Sequence, residues 1–223
     1  MSIVAVVPMK LNNCRLPQKN TKAFTNGKPL CSYILSTLLR VKEIDVVYVY
    51  CSNPDIQHFL PDGVRYLKRS EELDKDTTKM NDVLKCFAED VPADIYVMTH
   101  TTAPFIGKKS IEKGIAAVES GSYDSSFAVK KLQDFLWKDG KPFNYELDNI
   151  PRTQDLPDIY EETSGFYIYR SEVINKYNRR IGNVPYMVEV NEIESIDIDE
   201  KEDFEIADAI YNYILLKRGE KGE

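Results

Sequence analysis

An α/β fold built on a mostly parallel central sheet flanked by helices is the class this sequence predicts, and three observations predict it. Apolar, β-branched runs alternate along the chain with helical stretches. The first run, Ile3-Val4-Ala5-Val6-Val7, is apolar at every position and not at every second one. A loop carrying three cations follows that run directly. Uniformly apolar strands are covered on both faces, which is the habit of a parallel sheet sandwiched between helices.

Taken in order, the run at 3–7 is followed by a helix over 30–40, the run at 46–51 by a helix over 55–60, and the run at 95–100 by a helix over 109–120. A further strand falls at 64–67. After Phe127-Ala128-Val129 the rhythm breaks into a polar and aromatic stretch over 130–149, and apolar segments return at 165–169 and 187–190. The alternation Ile196-Asp197-Ile198-Asp199 predicts a strand with both carboxylates on one face. A long helix over 201–217 closes the chain, with Glu202 and Asp203 suiting the positive end of its dipole. With no repeat, low-complexity tract or linker, the simplest organisation is one domain over 1–223 with an inserted lobe at 130–190. In open parallel sheets the ligand crevice lies outside the carboxyl ends of the strands, which directs attention to 8–20, 52 onward and 99–106.

Composition narrows the function classes. The chain has 223 residues, 43% hydrophobic, with 14 Tyr and 9 Phe to fill a core. A net charge of −7 offers no basic face for nucleic acid or an anionic membrane. The apolar run near the start, 3–9, is far shorter than the roughly 20 residues of a membrane span and has no basic region before it, so the reading is cytoplasmic. Cys14, Cys31, Cys51 and Cys86 are scattered, without the close pairs of metal sites, and read as reduced thiols.

The loop from Pro8 to Asn20 holds Lys10, Arg15 and Lys19, with Asn12 and Asn13 between them. Three cations at the carboxyl edge of a parallel sheet could neutralise a polyanion, and short polar side chains leave backbone amides free for phosphate oxygens. A solvated cationic loop has the same composition. The loop contains neither GxxxxGK[ST] nor GxGxxG, which counts against P-loop nucleotide hydrolases and dinucleotide-binding dehydrogenases.

Val6-Val7-Pro8-Met9-Lys10, Arg15-Leu16-Pro17-Gln18-Lys19-Asn20 and Gly27-Lys28-Pro29-Leu30 stand in order at the start of the chain. They are followed by Arg69-Ser70-Glu71-Glu72-Leu73 with Asp76-Thr77, Thr102-Ala103-Pro104, Arg152-Thr153-Gln154-Asp155-Leu156-Pro157, Ser164-Gly165-Phe166-Tyr167-Ile168, and Ile196-Asp197-Ile198-Asp199 running into Glu200-Lys201-Glu202-Asp203-Phe204. This series resembles the acylneuraminate cytidylyltransferase family, sugar-activating nucleotidyltransferases with CMP-Kdo synthetases as close relatives. The resemblance implies a Rossmann-like sheet of the nucleotide-diphospho-sugar transferase type. It also implies transfer of CMP from CTP to an acidic sugar, with Mg²⁺ as cofactor and a homodimer formed by the inserted lobe. Acceptors such as a sugar phosphate or phosphonate, GTP in place of CTP, and a non-catalytic nucleotide-binding relative are the alternatives.

Carried residue by residue, the resemblance makes Lys10, Arg15 and Lys19 the triphosphate and pyrophosphate contacts, and puts Asn12, Asn13, Asn20, Arg69, Asp76 and Thr77 at the nucleotide. Lys10 stands where the family more often has Arg, keeping charge without a bidentate fork. Asp197 and Asp199 fall on the family's metal-binding aspartates; on spacing alone they could equally belong to an acidic surface run with Glu192, Glu194, Glu200, Glu202 and Asp203. Arg152 and Gln154 match an Arg-x-Gln that meets the acceptor's carboxylate, with His100, Thr102 and Ser164 also expected on the acceptor side. There the chain departs from the pattern: His100-Thr101-Thr102-Ala103-Pro104-Phe105-Ile106 lacks the family's Gln and Arg, and Ser164 replaces an Asn. His100 is either a hydrogen-bonding or basic group in the crevice or a core histidine. The aromatics Phe135, Trp137, Phe143 and Tyr145 suit a core, an interface or a sugar face.

Overall fold

The computed structural model describes residues 1–12 and 15–215. Asn13 and Cys14, and the end of the helix expected over 201–217, therefore lie outside the described residues in whole or in part. Seven strands form one sheet in the order β3-β2-β1-β4-β8-β5-β9. They are β1 (Ile3–Met9), β2 (Val46–Cys51), β3 (Val64–Lys68), β4 (Ile95–Thr99), β5 (Ser125–Leu132), β8 (Ile159–Arg170) and β9 (Pro185–Glu189). β6 (Trp137–Lys138) and β7 (Lys141–Pro142) pair separately as a small hairpin. β8 alone runs antiparallel, against β4 on one side and β5 on the other.

β1 is buried at all seven positions because both of its faces are covered. Ile3, Ala5, Val7 and Met9 join a cluster with α1 (Leu30–Leu38) and α3 (Lys108–Glu119), while Val4 and Val6 pack toward α2 (Met80–Asp90) and α4 (Ser171–Tyr177) on the other face. A third cluster joins Leu16, Phe24 and Leu30 to Ile198, Phe204 and Ala207, so that the loop after β1 rests on α5 (Lys201–Ile210). β2 and β4 leave β1 on opposite sides, which makes the β1/β4 edge the switch point where a crevice opens.

Several expectations need correction. The segment 196–199 is not a strand; no neighbouring strand is there to pair with it. The helix expected over 55–60 is a 3₁₀ helix, Pro54–Phe59. α2 and α4 are additions; α2 begins at Lys79 with no side-chain cap, so its start carries no local signal. α5 ends at Ile210 and passes into a π-helical turn, Tyr211–Leu215. Of the stretch 130–190, only 133–158 stands off the central sheet, since β8 and β9 are strands of it. Cys31, Cys51 and Cys86 are free thiols. Among the described residues no helix is long and apolar enough to cross a membrane.

Packing at one helical glycine sets opposing effects against each other. A Cβ at Gly114 in α3 would lie 2.8 Å from Ile168 Cδ1 and 2.9 Å from Ser126 Oγ, atoms of the sheet behind it. Gly→Ala in a helix ordinarily gains about 1 kcal/mol, but overpacking a filled core costs about 1–3 kcal/mol. Gly114→Ala is therefore expected to lose about 1 kcal/mol net, read as a lower urea midpoint at unchanged slope.

Candidate active site

Two loops meet at the switch point. The loop after β1 is fixed by Asn20, whose Nδ2 donates to the Lys10 carbonyl at 2.7 Å and whose Oδ1 accepts from Thr101 Oγ1 at 2.5 Å. Asn20 is buried, and both ends of its amide are spent inside the protein. It thereby ties the β1 and β4 loops to each other.

The C-terminal segment is drawn into the same crevice by its backbone. Ile198 N donates to the Thr102 carbonyl at 2.8 Å, and the Ile198 carbonyl accepts from Lys19 Nζ at 2.9 Å. With the Ile198 side chain fully buried, Asp197 and Asp199 are left on either side of it, the former exposed and the latter half-buried. Asp199 accepts from Arg15 Nη2 at 2.8 Å and lies 3.3 Å from Lys19 Nζ. Burial pushes the Asp199 carboxyl up, but the Arg15 hydrogen bond and the Lys19 charge outweigh it and hold it below the usual carboxylate range. Arg15 is raised in turn, chiefly by its hydrogen bond to Asp199.

The structure sorts the acidic run that spacing alone leaves ambiguous. Glu194 Oε1 accepts from Gly107 N and Ser110 Oγ, both at 2.7 Å, capping α3. Glu192 pairs with Lys130 at 2.7 Å. Glu200 and Asp203 form a capping box on α5, with Asp203 Oδ2 also accepting from Asp199 N at 3.0 Å. Asp199 is thereby the carboxylate of the run that touches both Arg15 and Lys19, while Asp197 is exposed two residues before it and Glu200 stands 3.8 Å from Arg15.

A cavity of about 560 Å³ opens where Leu11 and Asn12 face Ser52, Lys68 and Asp74. Its wall is stiffened by Arg69, which is buried and holds Asp74 in an ion pair. Ser52 Oγ donates to the other Asp74 oxygen at 2.5 Å. Arg69 thus stands behind the cavity and Asp74 presents to it. Sequence reasoning passed over Asp74, although an acid five residues after an Arg at the end of a strand was the available signal. Asp76 pairs with Lys10 at 2.9 Å, and Thr77 is exposed beside it.

On the acceptor side the expected residues are spread apart. Thr102 acts through its carbonyl, and Ser164 precedes Gly165, where a Cβ would lie 2.4 Å from Ile106 Cδ1. Arg152 forks onto Asp155 three residues on, with Gln154 between them, at the exposed end of the off-sheet segment. His100 follows β4, where burial first and the Arg180 charge second push its pKa down to about 4. Arg180 itself was not anticipated; it lies between α4 and β9 in a stretch without a motif.

A family model described as cytidylyltransferase matches residues 4–221. N-acylneuraminate cytidylyltransferase A of Danio rerio is 25% identical over 203 residues, 86% of this chain and 47% of that protein. The chain thus spans about half the length of that relative. A 3-deoxy-manno-octulosonate cytidylyltransferase of Hydrogenovibrio crunogenus is 25% identical over 182 residues, 80% of this chain and 68% of that one. In fold, the chain is similar to a CMP:2-keto-3-deoxy-manno-octonic acid synthetase solved with CTP, at a TM-score of 0.72 and 18% identity, covering 95% and 99% of the two chains. It is also similar to a 4-diphosphocytidyl-2C-methyl-D-erythritol synthase from Anaerococcus prevotii, at 0.67 and 16%, covering 95% and 96%.

The half-buried, neutral His100 has a consequence for stability. Its folded pKa of about 4 lies below the ordinary value of 6.5, so between those pH values the unfolded chain binds a proton that the folded one does not. Stability should fall as the pH drops from 6.5 to 4 and then level off in this contribution. His100→Gln should flatten that slope in urea midpoints measured across the interval.

Proposed function

The chain belongs to the cytidylyltransferase family, and on that premise we propose that it transfers CMP from CTP to an acidic sugar of the 2-keto sugar-acid class, releasing pyrophosphate. The observation that carries this reading is the contact of Arg15 and Lys19 with Asp199 at the switch point of the sheet, with Asp197 two residues before it and Lys10 of the same cationic loop paired with Asp76. The nucleoside would occupy the cavity beside Ser52 and Asp74, with the triphosphate running toward the cationic loop. A hydroxyl oxygen of the acceptor attacks the α-phosphorus, the bond from that phosphorus to the bridging oxygen breaks, and pyrophosphate leaves while the hydroxyl proton passes to solvent. Such transfers rest on positioning and charge neutralisation.

The ion pairs suit this use. Arg15 and Asp199 keep 60% and 42% of their side chains exposed, and a pair so exposed contributes little to stability. A triphosphate therefore displaces Asp199 from Arg15 at little cost. Asp197 and Asp199 would then hold Mg²⁺, which takes one or two carboxylates and fills its remaining positions with phosphate oxygens and water. The donor set suits that ion in kind: Asp199 is a half-buried carboxylate held ionised by Arg15 and Lys19, and Asp197 two residues away is exposed. When bound there, Mg²⁺ supplies charge neutralisation at the transferring phosphate. His100, neutral at pH 7, serves as a hydrogen-bonding group in the crevice and is too weak a base to take the hydroxyl proton.

We further propose a homodimer formed through the off-sheet segment. Trp137, Phe143, Leu147 and Ile150 on it expose 56–61% of their surfaces, a concentration of large apolar side chains that a second copy would cover.

Pyrophosphate release is expected with CTP, Mg²⁺ and N-acetylneuraminate or 3-deoxy-manno-octulosonate, and is expected to stop on chelation by EDTA. Asp199→Asn should lower turnover at least a hundredfold, the scale of losing one group that stabilises transition-state charge. Release with no acid in the panel, or equal release in EDTA, would refute the reading.

A further inference from the structure

A second cavity, of about 350 Å³, lies on the α2/α4 face of the sheet and has no part in the nucleotide site described above. Its lining includes Lys79, Arg179 and Arg180 against a single carboxylate, Glu162, a cationic surface in a chain of net charge −7. Only a short stretch of chain separates it from the nucleotide cavity: Asp74 lines one, Lys79 lines the other, and Asp76 between them pairs with Lys10.

Arg180 is held ready in this cavity. Its guanidinium lies 4.0 Å from the centre of the Tyr167 ring, donates from Nη2 to Tyr167 Oη at 3.2 Å, and stands 3.7 Å from Glu162. Glu162 is itself engaged, accepting from Tyr167 Oη at 2.6 Å. Stacking on an aromatic face restrains the guanidinium, and because Nη2 carries two N–H groups its one hydrogen bond to Tyr167 leaves one of the two forks that share Nη2 for a planar anion. The walls are pinned together as well. Asn178, in the left-handed conformation that ends α4, donates to Asp82 of α2 at 2.9 Å and so sets the two arginines that follow it against that helix. α2 starts at the cavity with no side chain capping its first amides, which adds donors to the same space.

The cavity also adjoins the reacting end of the crevice. β4 alternates, Tyr96 and Met98 packing on the α2/α4 face, which places His100 on that face too. The charges of Arg180, Asp197, Lys19 and Asp199 all act on the His100 ring, so the imidazole is within electrostatic reach of the cationic cavity and of the aspartate pair.

Resting on the function proposed above, we infer that Arg180, and not Arg152, is the specificity-determining residue that receives the carboxylate of the acidic acceptor, in the cavity bounded by Lys79, Glu162 and Tyr167. Arg152 is on the exposed off-sheet segment with 73% of its side chain open to water, where an ion pair to a ligand is weak, whereas Arg180 is 27% exposed and stacked on Tyr167. A monosaccharide acid fits a cavity of this size, and its carboxylate matches the bidentate geometry that Arg180 keeps open.

The test is calorimetric titration of the full chain without divalent cation, so that nothing turns over. CTP, pyrophosphate, N-acetylneuraminate, 3-deoxy-manno-octulosonate and the methyl ester of each acid serve as probes, the acids and esters both with and without CTP. The wild type should bind an acid at least tenfold more tightly than its ester. Arg180→Gln should weaken the acid at least tenfold and leave CTP and pyrophosphate within twofold. Arg180→Lys should lie between, and Arg152→Gln should match the wild type. The inference is overturned if acid and ester bind the wild type equally, if Arg152→Gln and not Arg180→Gln loses the acid, if Arg180→Gln loses pyrophosphate instead, or if neither acid binds. The ester comparison needs no variant, so a misfolded Arg180→Gln leaves the outcome decided. CTP binding with no acid binding sinks this inference alone, whereas absence of CTP binding sinks the function proposed above.

Discussion

The Lys19 ammonium group holds the site together. It is about nine-tenths buried, reaches the Ile198 carbonyl and the Asp199 carboxylate, and so joins the loop after the first strand to the segment before the last helix. A buried cation costs several kcal/mol in lost hydration, and such a group persists only where strong acceptors meet it. Here one acceptor is backbone and the other a carboxylate. The backbone bond fixes where the chain passes, and the carboxylate bond fixes which side chain faces the crevice. Asn20 and Thr101 make the equivalent join between the β1 and β4 loops, so three loops behave as one rigid edge.

On that edge the charges are arranged in mutual neutralisation. Lys10 answers Asp76, Arg15 and Lys19 answer Asp199, and Arg69 answers Asp74. The pairs differ in burial, and burial separates their uses. Arg69 and Asp74 are shielded, and breaking that pair would strand a charge; they belong to the scaffold. Arg15 and Asp199 are half open to water and exchange partners readily. Lys10 and Arg15 are thus ordered through exposed, weak internal contacts, unlike the shielded Arg69.

The fold was legible where burial writes a continuous pattern. β1, β2 and β4 are apolar runs because helices cover both faces, and α1 and α3 follow them at regular distance. α2 was not legible: it starts without a capping residue after a loop of charged residues, and only its Val83, Leu84 and Phe87 face marks it. The 196–199 segment imitated a strand because Ile198 must be buried and the aspartates must not; its backbone partners are a lysine and a loop carbonyl, which leave no periodic trace. The cationic loop and the aspartates were found through a motif series, and contact between Arg15 and Asp199 bears out that these distant segments face each other. Asn20, Arg69 and Arg152 show the limit of that approach, since a motif marks a residue without saying whether its side chain points at a ligand or at a neighbour. Asp74 and Arg180 stand in no motif with a stated role, and only the packing around them shows where their charges point.

The clamp between residues 19 and 198 spans 179 positions of chain. During synthesis the cationic loop emerges early and stays without its carboxylate until residue 199 has been made. The central strands can pair before then, because their contacts close shorter loops. A chain cut short before residue 198 would therefore keep much of its sheet while lacking the edge where the charges meet. Closure of this charged edge thus depends on a contact of far greater sequence separation than the strand pairings behind it, and the edge forms only once both distant segments are present.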